Sequence, residues 1–304
     1  MDRFYAAGLT AFLALALTVP EQPAVAATLP RTQRTSLAAT CKNRDGWSDI
    51  APPAKIFGTA WYVGTCGISV LLITGSKGHV LIDAAPSQAA PAILANIRAA
   101  GYNPRDIRLI VGSHEHLDHM GGFATLKAAT GARLVVREEA RTVVESGQVA
   151  ADDPQRGLIE TMTPVVVDGI VADGEVLRIG NVALTAVATP GHTKGGTSWT
   201  WRSCEKTHCM DFAYVDSMSA VSAEGYRFSD HPERVASFRT TFARVALLPC
   251  DILVTPHPDV SDLFSRLAGT KPLIDRSGCK RLSQSSAIRL DERLKRESKL
   301  DANR

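Results

Sequence analysis

Three histidines and an aspartate fall within six consecutive positions, as His114, His116, Asp118 and His119. Imidazole nitrogen and carboxylate oxygen are donors that zinc accepts at about 2.0–2.2 Å. On extended backbone His114 and His116 point to the same side, whereas Asp118 and His119, being adjacent, diverge. One short stretch can therefore feed two neighbouring metal ions with two ligands each. The chain has 8 histidines. A plain solvated turn gives no reason for three of them to gather here, because histidine is a scarce residue type. Two more follow turn-forming residues: His192 after Pro190-Gly191, and His257 between Pro256 and Pro258.

Each of these stretches trails an apolar run. Residues 107–111 read as a buried strand and lead into the first cluster, and 123–129 behind it have helical spacing. Residues 182–187 lead to His192, and 251–254 lead to His257. Ligands at the carboxyl ends of strands match the place where α/β folds carry their chemistry.

Upstream, 59–64, 69–73 and 79–83 are short β-rich runs divided by glycine, which predicts an antiparallel meander. Ile93, Leu94 and Ile97 predict a helix over 89–100, ended by Gly101. A strand at 133–136 and a helix at 138–145 follow. Residues 146–164 have little periodicity, and a loop that long is usually a lid or a binding loop. Gln148 and Gln155 on it are candidate substrate contacts. Further strands are expected at 165–167, 175–179, 197–201 and 212–215, with a loop holding Cys204 and Cys209 between the last two. Helices are expected over 232–247 and 283–300, and 27–50 reads as an irregular, extended lead-in. His79, His208 and His231 have no partner motif and read as structural or surface residues.

The chain has 304 residues, a net charge of +3 and 45% hydrophobic residues. That suits one sizeable α/β domain over 27–304, and the charge is too small to point to nucleic acid. Asp2 and Arg3, an apolar run from Ala7 to Val19 and the small residues Ala24-Val25-Ala26 predict a signal peptide over 1–26. The run falls short of the ~20 residues that a membrane span needs. A soluble, periplasmic protein is expected. The 6 cysteines agree with an oxidising compartment. Proximity favours Cys204 with Cys209, and the simplest pairing of the rest is Cys41–Cys66 and Cys250–Cys279. A thiolate metal site, the rival reading, lacks a second close cysteine pair.

Four stretches together resemble the metallo-β-lactamase superfamily, and within it subclass B3: His114-Glu115-His116-Leu117-Asp118-His119, Pro190-Gly191-His192-Thr193, Asp216-Ser217-Met218-Ser219 and Thr255-Pro256-His257-Pro258. The six-cysteine layout is similar to that of the three-disulfide members. The resemblance implies an αββα four-layer sandwich with two zinc ions. His114, His116 and His192 would hold one, and Asp118, His119 and His257 the other. It implies that a zinc-bridging hydroxide opens the β-lactam ring of penicillins, cephalosporins and carbapenems, conferring antibiotic resistance. Asp118 would be catalytic, orienting or relaying the water's proton. Ser217 and Ser219 would anchor the substrate carboxylate, and Asp83 would support the metal loop through hydrogen bonds. The implied enzyme is a monomer acting on a small molecule. Lactonase-like and glyoxalase-like thioesterase relatives remain the alternative. They use an aspartate near the position of Asp216 as a bridging ligand, so the place of Asp216 matters.

Overall fold

The computed structural model describes Met1 and residues 31–302. Apart from Met1, the leader expected over 1–26 lies outside the described residues. Among the described residues no helix is long and apolar enough to cross a membrane.

Two sheets carry the chain. The first has seven strands: β1 (Ala54–Phe57), β2 (Ala60–Tyr62), β3 (Leu71–Ile73), β4 (His79–Ile82), β5 (Ile107–Val111), β6 (Arg133–Val136) and β7 (Gly169–Ile170), paired in that order. The expected meander forms the antiparallel half, and β4 to β7 run parallel. The second sheet has β8 (Val176–Ile179), β9 (Val182–Ala188), β10 (Thr197–Glu205), β11 (His208–Tyr214) and β12 (Ile252–Val254), in the order β12-β11-β10-β9-β8.

Side-chain alternation builds the layers. Leu71 and Ile73, Val80 and Ile82, and Leu109 and Val111 face Trp199, Phe212, Tyr214, Ile252 and Val254 in a core between the sheets. The residues between them, Leu72, Leu81 and Ile110, point the other way, toward α2 (Ala90–Ala99), α4 (Phe123–Thr130) and α5 (Glu138–Ser146). On the second sheet, Ala213 and Leu253 meet α6 (Pro232–Val245) and α8 (Gly278–Ala302). Both faces of the central strands, β3 to β6 in the first sheet and β11 and β12 in the second, are therefore apolar, which explains why these strands read as continuous hydrophobic runs, whereas the edge strand β8 stays exposed on one face. The result is the expected αββα sandwich.

Three expectations differ from what is found. The lead-in is not extended: Arg31–Thr40 forms helix α1. Its Leu37 is buried, and its Arg34 donates to Lys55 O and Ile56 O, both at 2.8 Å. Residues 165–167 form no strand, because their backbone is used elsewhere. Val165 N–H bonds Val144 O at 3.1 Å, and Val166 O accepts from Lys127 Nζ at 2.7 Å, so pairing with β6 starts only at Gly169. The Cys204–Cys209 segment is a tight hairpin rather than a loop, with Cys204 opposite Cys209 and Glu205 opposite His208 in register. The disulfides are Cys41–Cys66, Cys204–Cys209 and Cys250–Cys279. A short helix, α7 (Leu263–Ala268), was not legible in the sequence.

Candidate metal centre

Four strand ends deliver the site. The first cluster leaves β5, with His116 extended at φ −103° and ψ 155°, and Leu117–Met120 closes as one helical turn, α3. The loop after β9 carries His192, the segment after β11 carries Asp216 to Ser219, and the end of β12 carries His257. Asp83, just past β4, ties the first cluster down. Its Oδ1 accepts from Ser113 N–H at 2.6 Å, and its Oδ2 accepts from Ser113 Oγ at 2.7 Å and Tyr214 Oη at 2.6 Å. It does so at φ 63°, a conformation that an L-residue other than Asn or Asp rarely holds. Trp199 Nε1 donates across the sheets to Gly112 O at 3.0 Å.

All six expected ligand residues lie in one place. One donor atom from each of His114, His116 and His192 falls within 4.8 Å of the others, and the same holds for His114, Asp118 and His119. His257 joins the second set at its rim, with Nε2 3.4 Å from Asp118 Oδ2. Asp118 Oδ2 is also 3.1 Å from His119 Nε2. Donors about 3.3–3.5 Å apart are what tetrahedral zinc with 2.0–2.1 Å bonds requires.

The ring nitrogens facing away from this centre are engaged by acceptors. His114 Nδ1 meets Asp216 Oδ1 at 2.7 Å, and His116 Nε2 meets Asp153 Oδ2 at 2.9 Å. His192 Nδ1 donates to Ser219 O at 2.8 Å, and His257 Nδ1 to Gly67 O at 3.2 Å. Such partners fix the tautomer and leave the inward nitrogen as a lone-pair donor. His119 is the exception. Both its ring nitrogens are buried without a hydrogen bond, Nδ1 lying 3.3 Å from Asp83 Oδ2. A buried, unsatisfied imidazole beside a carboxylate is costly, and a cation shared by His119 Nε2 and Asp118 would relieve it. The donor set thus fits zinc.

The electrostatics follow from burial and crowding. Burial and the neighbouring imidazoles hold the His114 pKa well below its ordinary value. Burial and His116 bring His192 down to about 3, so it stays a neutral donor. For Asp118, burial pushes upward, but His119 and His257 outweigh it and hold the carboxyl far below the usual range. For His119 burial pushes down, and Asp118 and Asp83 outweigh it, raising the pKa to about 10. Burial pushes the Asp216 carboxyl up; a cation on the far side of His114 would draw it back.

Asp216 lies behind His114 and is absent from both donor groups. Gln155 reaches the site, its Nε2 standing 3.3 Å from His192 Nε2. Gln148 stays exposed at the start of the loop, where its backbone N–H bonds Ser146 Oγ. Ser217 and Ser219 line a cavity of about 290 Å³ that reaches His257. His79 accepts from Gly75 N–H at 3.3 Å and packs on Tyr102. His231 stacks on Tyr226, and His208 is exposed.

Three buried supports left little trace in the local pattern of residues. Glu115 accepts from Thr193 Oγ1 at 2.7 Å and Gly195 N–H at 2.9 Å, which joins the first cluster to the His192 loop. Gly195 is required there, since a Cβ would lie 2.5 Å from Glu115 Oε2. Asp153 links the long loop to His116. Arg234 of α6 donates to Gly191 O at 3.1 Å and Asp152 O at 3.0 Å, binding that loop to the His192 loop. Only the acid inside the histidine cluster could have been singled out beforehand.

Comparison with known proteins agrees with this geometry. Residues 63–257 match the Metallo-beta-lactamase superfamily. The chain is similar to the metallo-β-lactamase MIM-1 from Novosphingobium pentaromativorans, at 51% identity over 87% of this chain and 98% of that one, with a TM-score of 0.85. It is also similar to BJP-1, a subclass B3 metallo-β-lactamase of Bradyrhizobium japonicum, at 30% identity over 84% and 97% of the two chains, with a TM-score of 0.76. A curated hydroxyacylglutathione hydrolase of Polaromonas matches at 30% identity over 55% of this chain and 52% of its own length. The chain thus spans about half the length of that relative, and less of the next two. The match over 63–257, the two-sheet sandwich and the likeness to subclass B3 structures along nearly their whole length have one meaning: the chain belongs to the metallo-β-lactamase superfamily, on its subclass B3 branch.

Proposed function

We propose that this protein is a zinc-dependent β-lactamase that opens the ring of penicillins, cephalosporins and carbapenems and so confers antibiotic resistance. The observation that carries the reading is the convergence of five imidazoles and Asp118 from three strand ends, four of the imidazoles fixed from behind by an acceptor. We assign His114, His116 and His192 to one zinc, and Asp118, His119 and His257 to the other. A zinc pair supplies a nucleophilic water at neutral pH and Lewis-acid stabilisation of charge on the opening lactam. Asp118 holds its ion and orients the attacking water's proton. Ser217 and Ser219 offer hydroxyls to the substrate carboxylate, and Gln155 offers an amide on the opposite side. Residues 27–304 would act as one catalytic domain and a monomer, exported to the periplasm behind the leader at 1–26. The disulfides are consistent with export.

A thioester or lactone hydrolase is the second reading, favoured by the match to hydroxyacylglutathione hydrolases. Against it stands Asp216, whose Oδ1 is taken by His114 Nδ1 and is not offered between the two donor groups.

Purified protein with a measured zinc content should hydrolyse β-lactams faster than lactones or thioesters, and a chelator should abolish turnover. His192→Ala should lose one zinc and at least a hundredfold in rate. Asp118→Asn should cut kcat with little change in melting temperature. Undiminished turnover after exhaustive chelation, or preference for thioesters, would refute the proposal.

A further inference from the structure

The cavity beside the metal centre has a wall that the proposed reaction has not used. Ser217, Ser219, Thr255 and His257 line one side, and Leu282, Ser285, Ser286 and Arg289 of α8 line the other. We infer that Arg289 supplies the positive charge that receives the substrate's carboxylate, so that the C-terminal helix forms part of the substrate site. This inference rests on the β-lactamase reading.

Three observations carry it. First, Arg289 is aimed rather than loose: its Nη2 donates to Ser286 Oγ at 2.8 Å, and Ser286 is buried. Secondly, its charge is unspent. Among the described residues Arg289 makes no ion pair, although its neighbours on the helix do: Asp291 with Arg239, and Arg293 with Glu297. Thirdly, the other ionisable groups of the cavity, His257 and Asp216, offer no exposed positive charge. His257 belongs to the candidate zinc site. Asp216, the carboxyl on this wall, is buried, with Oδ1 on His114 and Oδ2 out of contact with water and without a hydrogen bond. That leaves the guanidinium as the free charge on a wall otherwise built of hydroxyls and apolar side chains.

The chemistry suits the ligand. Hydroxyls from Ser217 and Ser219 can orient a carboxylate but cannot neutralise it. A guanidinium adds a charge and a planar pair of N–H donors that match the two carboxylate oxygens. The cavity, about 290 Å³, has room for the carboxylate and part of its ring. Arg289 is exposed and stands at the rim, so its effect lies in capture of the substrate, before any bond changes. It should appear in KM, with kcat nearly unchanged.

The test uses the zinc-loaded full chain, as wild type, Arg289→Ala and Arg289→Lys, with equal zinc content verified. Each is assayed on one penicillin as the free acid and as its methyl ester. For the free acid, Arg289→Ala should raise KM roughly tenfold, the scale of a lost charge-assisted hydrogen bond, with kcat within about twofold. Arg289→Lys, which keeps the charge and loses the planar fork, should recover much of that loss. The ester should show no dependence on residue 289. Added salt should raise KM for the free acid in the wild type more than in Arg289→Ala. Normal wild-type turnover with an unchanged KM in Arg289→Ala overturns the carboxylate site alone. So does an equal rise for acid and ester, which marks a steric role. Wild-type protein that opens neither compound overturns the β-lactamase reading and this site together.

Discussion

Glu115 sits between two zinc-type ligands yet turns its carboxylate away from them, to Thr193 Oγ1 and Gly195 N–H. Burial raises its pKa above the ordinary carboxyl value, and those two donors offset only part of the rise. Its task is to hold the loop of His114 and His116 against the loop of His192. Glu115→Ala leaves both buried donors without an acceptor, at a cost of about 1–3 kcal/mol each. We expect a lower melting temperature together with zinc affinity weakened roughly 10–100-fold, read by competition with a chromophoric chelator. Glu115→Gln keeps one carbonyl acceptor and should fall between. Unchanged zinc affinity in Glu115→Ala would show that the two loops hold their places without it.

The long loop is more than a flexible cover, because side-chain bonds attach it at its centre. Asp153 meets His116, and Arg234 from α6 grips the backbone of Asp152 and Gly191. Burial would raise the Asp153 carboxyl, but its bond and attraction to His116 hold it below the ordinary range. The loop and the metal ligand are therefore coupled in both directions. Asp153→Ala should free the loop, giving faster proteolytic cleavage within 147–164 and weaker zinc binding. A cleavage rate equal to that of the wild type would refute the coupling. On the opposite side, α8 anchors the segment after β11. Arg293 donates to Ser222 Oγ at 2.9 Å and Tyr226 O at 3.1 Å, and Glu297 accepts from Ser229 N–H at 2.7 Å. Helical spacing located α2 and α4, and amphipathic character located α8; α5 and α6 were also expected, and each buries an apolar stripe. These signals missed α1 and α7. These two helices pack on each other, and α1, a largely polar stretch whose buried apolar contact is Leu37, is also anchored by Arg34.

On the scale of the molecule, the two sheets share one core, and disulfides fasten to it the segment just after α1, through Cys41, and the start of α8, through Cys279. Cys250–Cys279 closes a separation of 29 residues and ties the start of α8 to the strand that carries His257. Replacing both cysteines with serine should destabilise the fold by about 3 kcal/mol through the freed unfolded chain. Denaturant midpoints at fixed zinc concentration would measure this. If α8 forms the substrate wall as inferred, the same variant should raise KM for free-acid β-lactams more than it changes zinc content. A variant with normal stability would show that packing of α6 on α8 fixes the helix unaided.

Local residue patterns were enough to identify the donors' chemistry and their attachment to strand ends. A ligand type is a property of one residue, and a buried strand is legible from a few neighbours. Those patterns therefore placed His114, His116, Asp118, His119, His192 and His257 at the ends of the right strands before any fold was known. The company those residues keep emerged only from the folded arrangement. The acceptor for His114 lies 102 positions away, that for His116 lies 37 away, and the donors to Glu115 lie 78 and 80 away. The place of Asp216 behind His114, and of Arg289 on the cavity wall, was settled in the same way. Contacts of that span depend on how the sheets stack and where α8 returns, and no local pattern of residues encodes either.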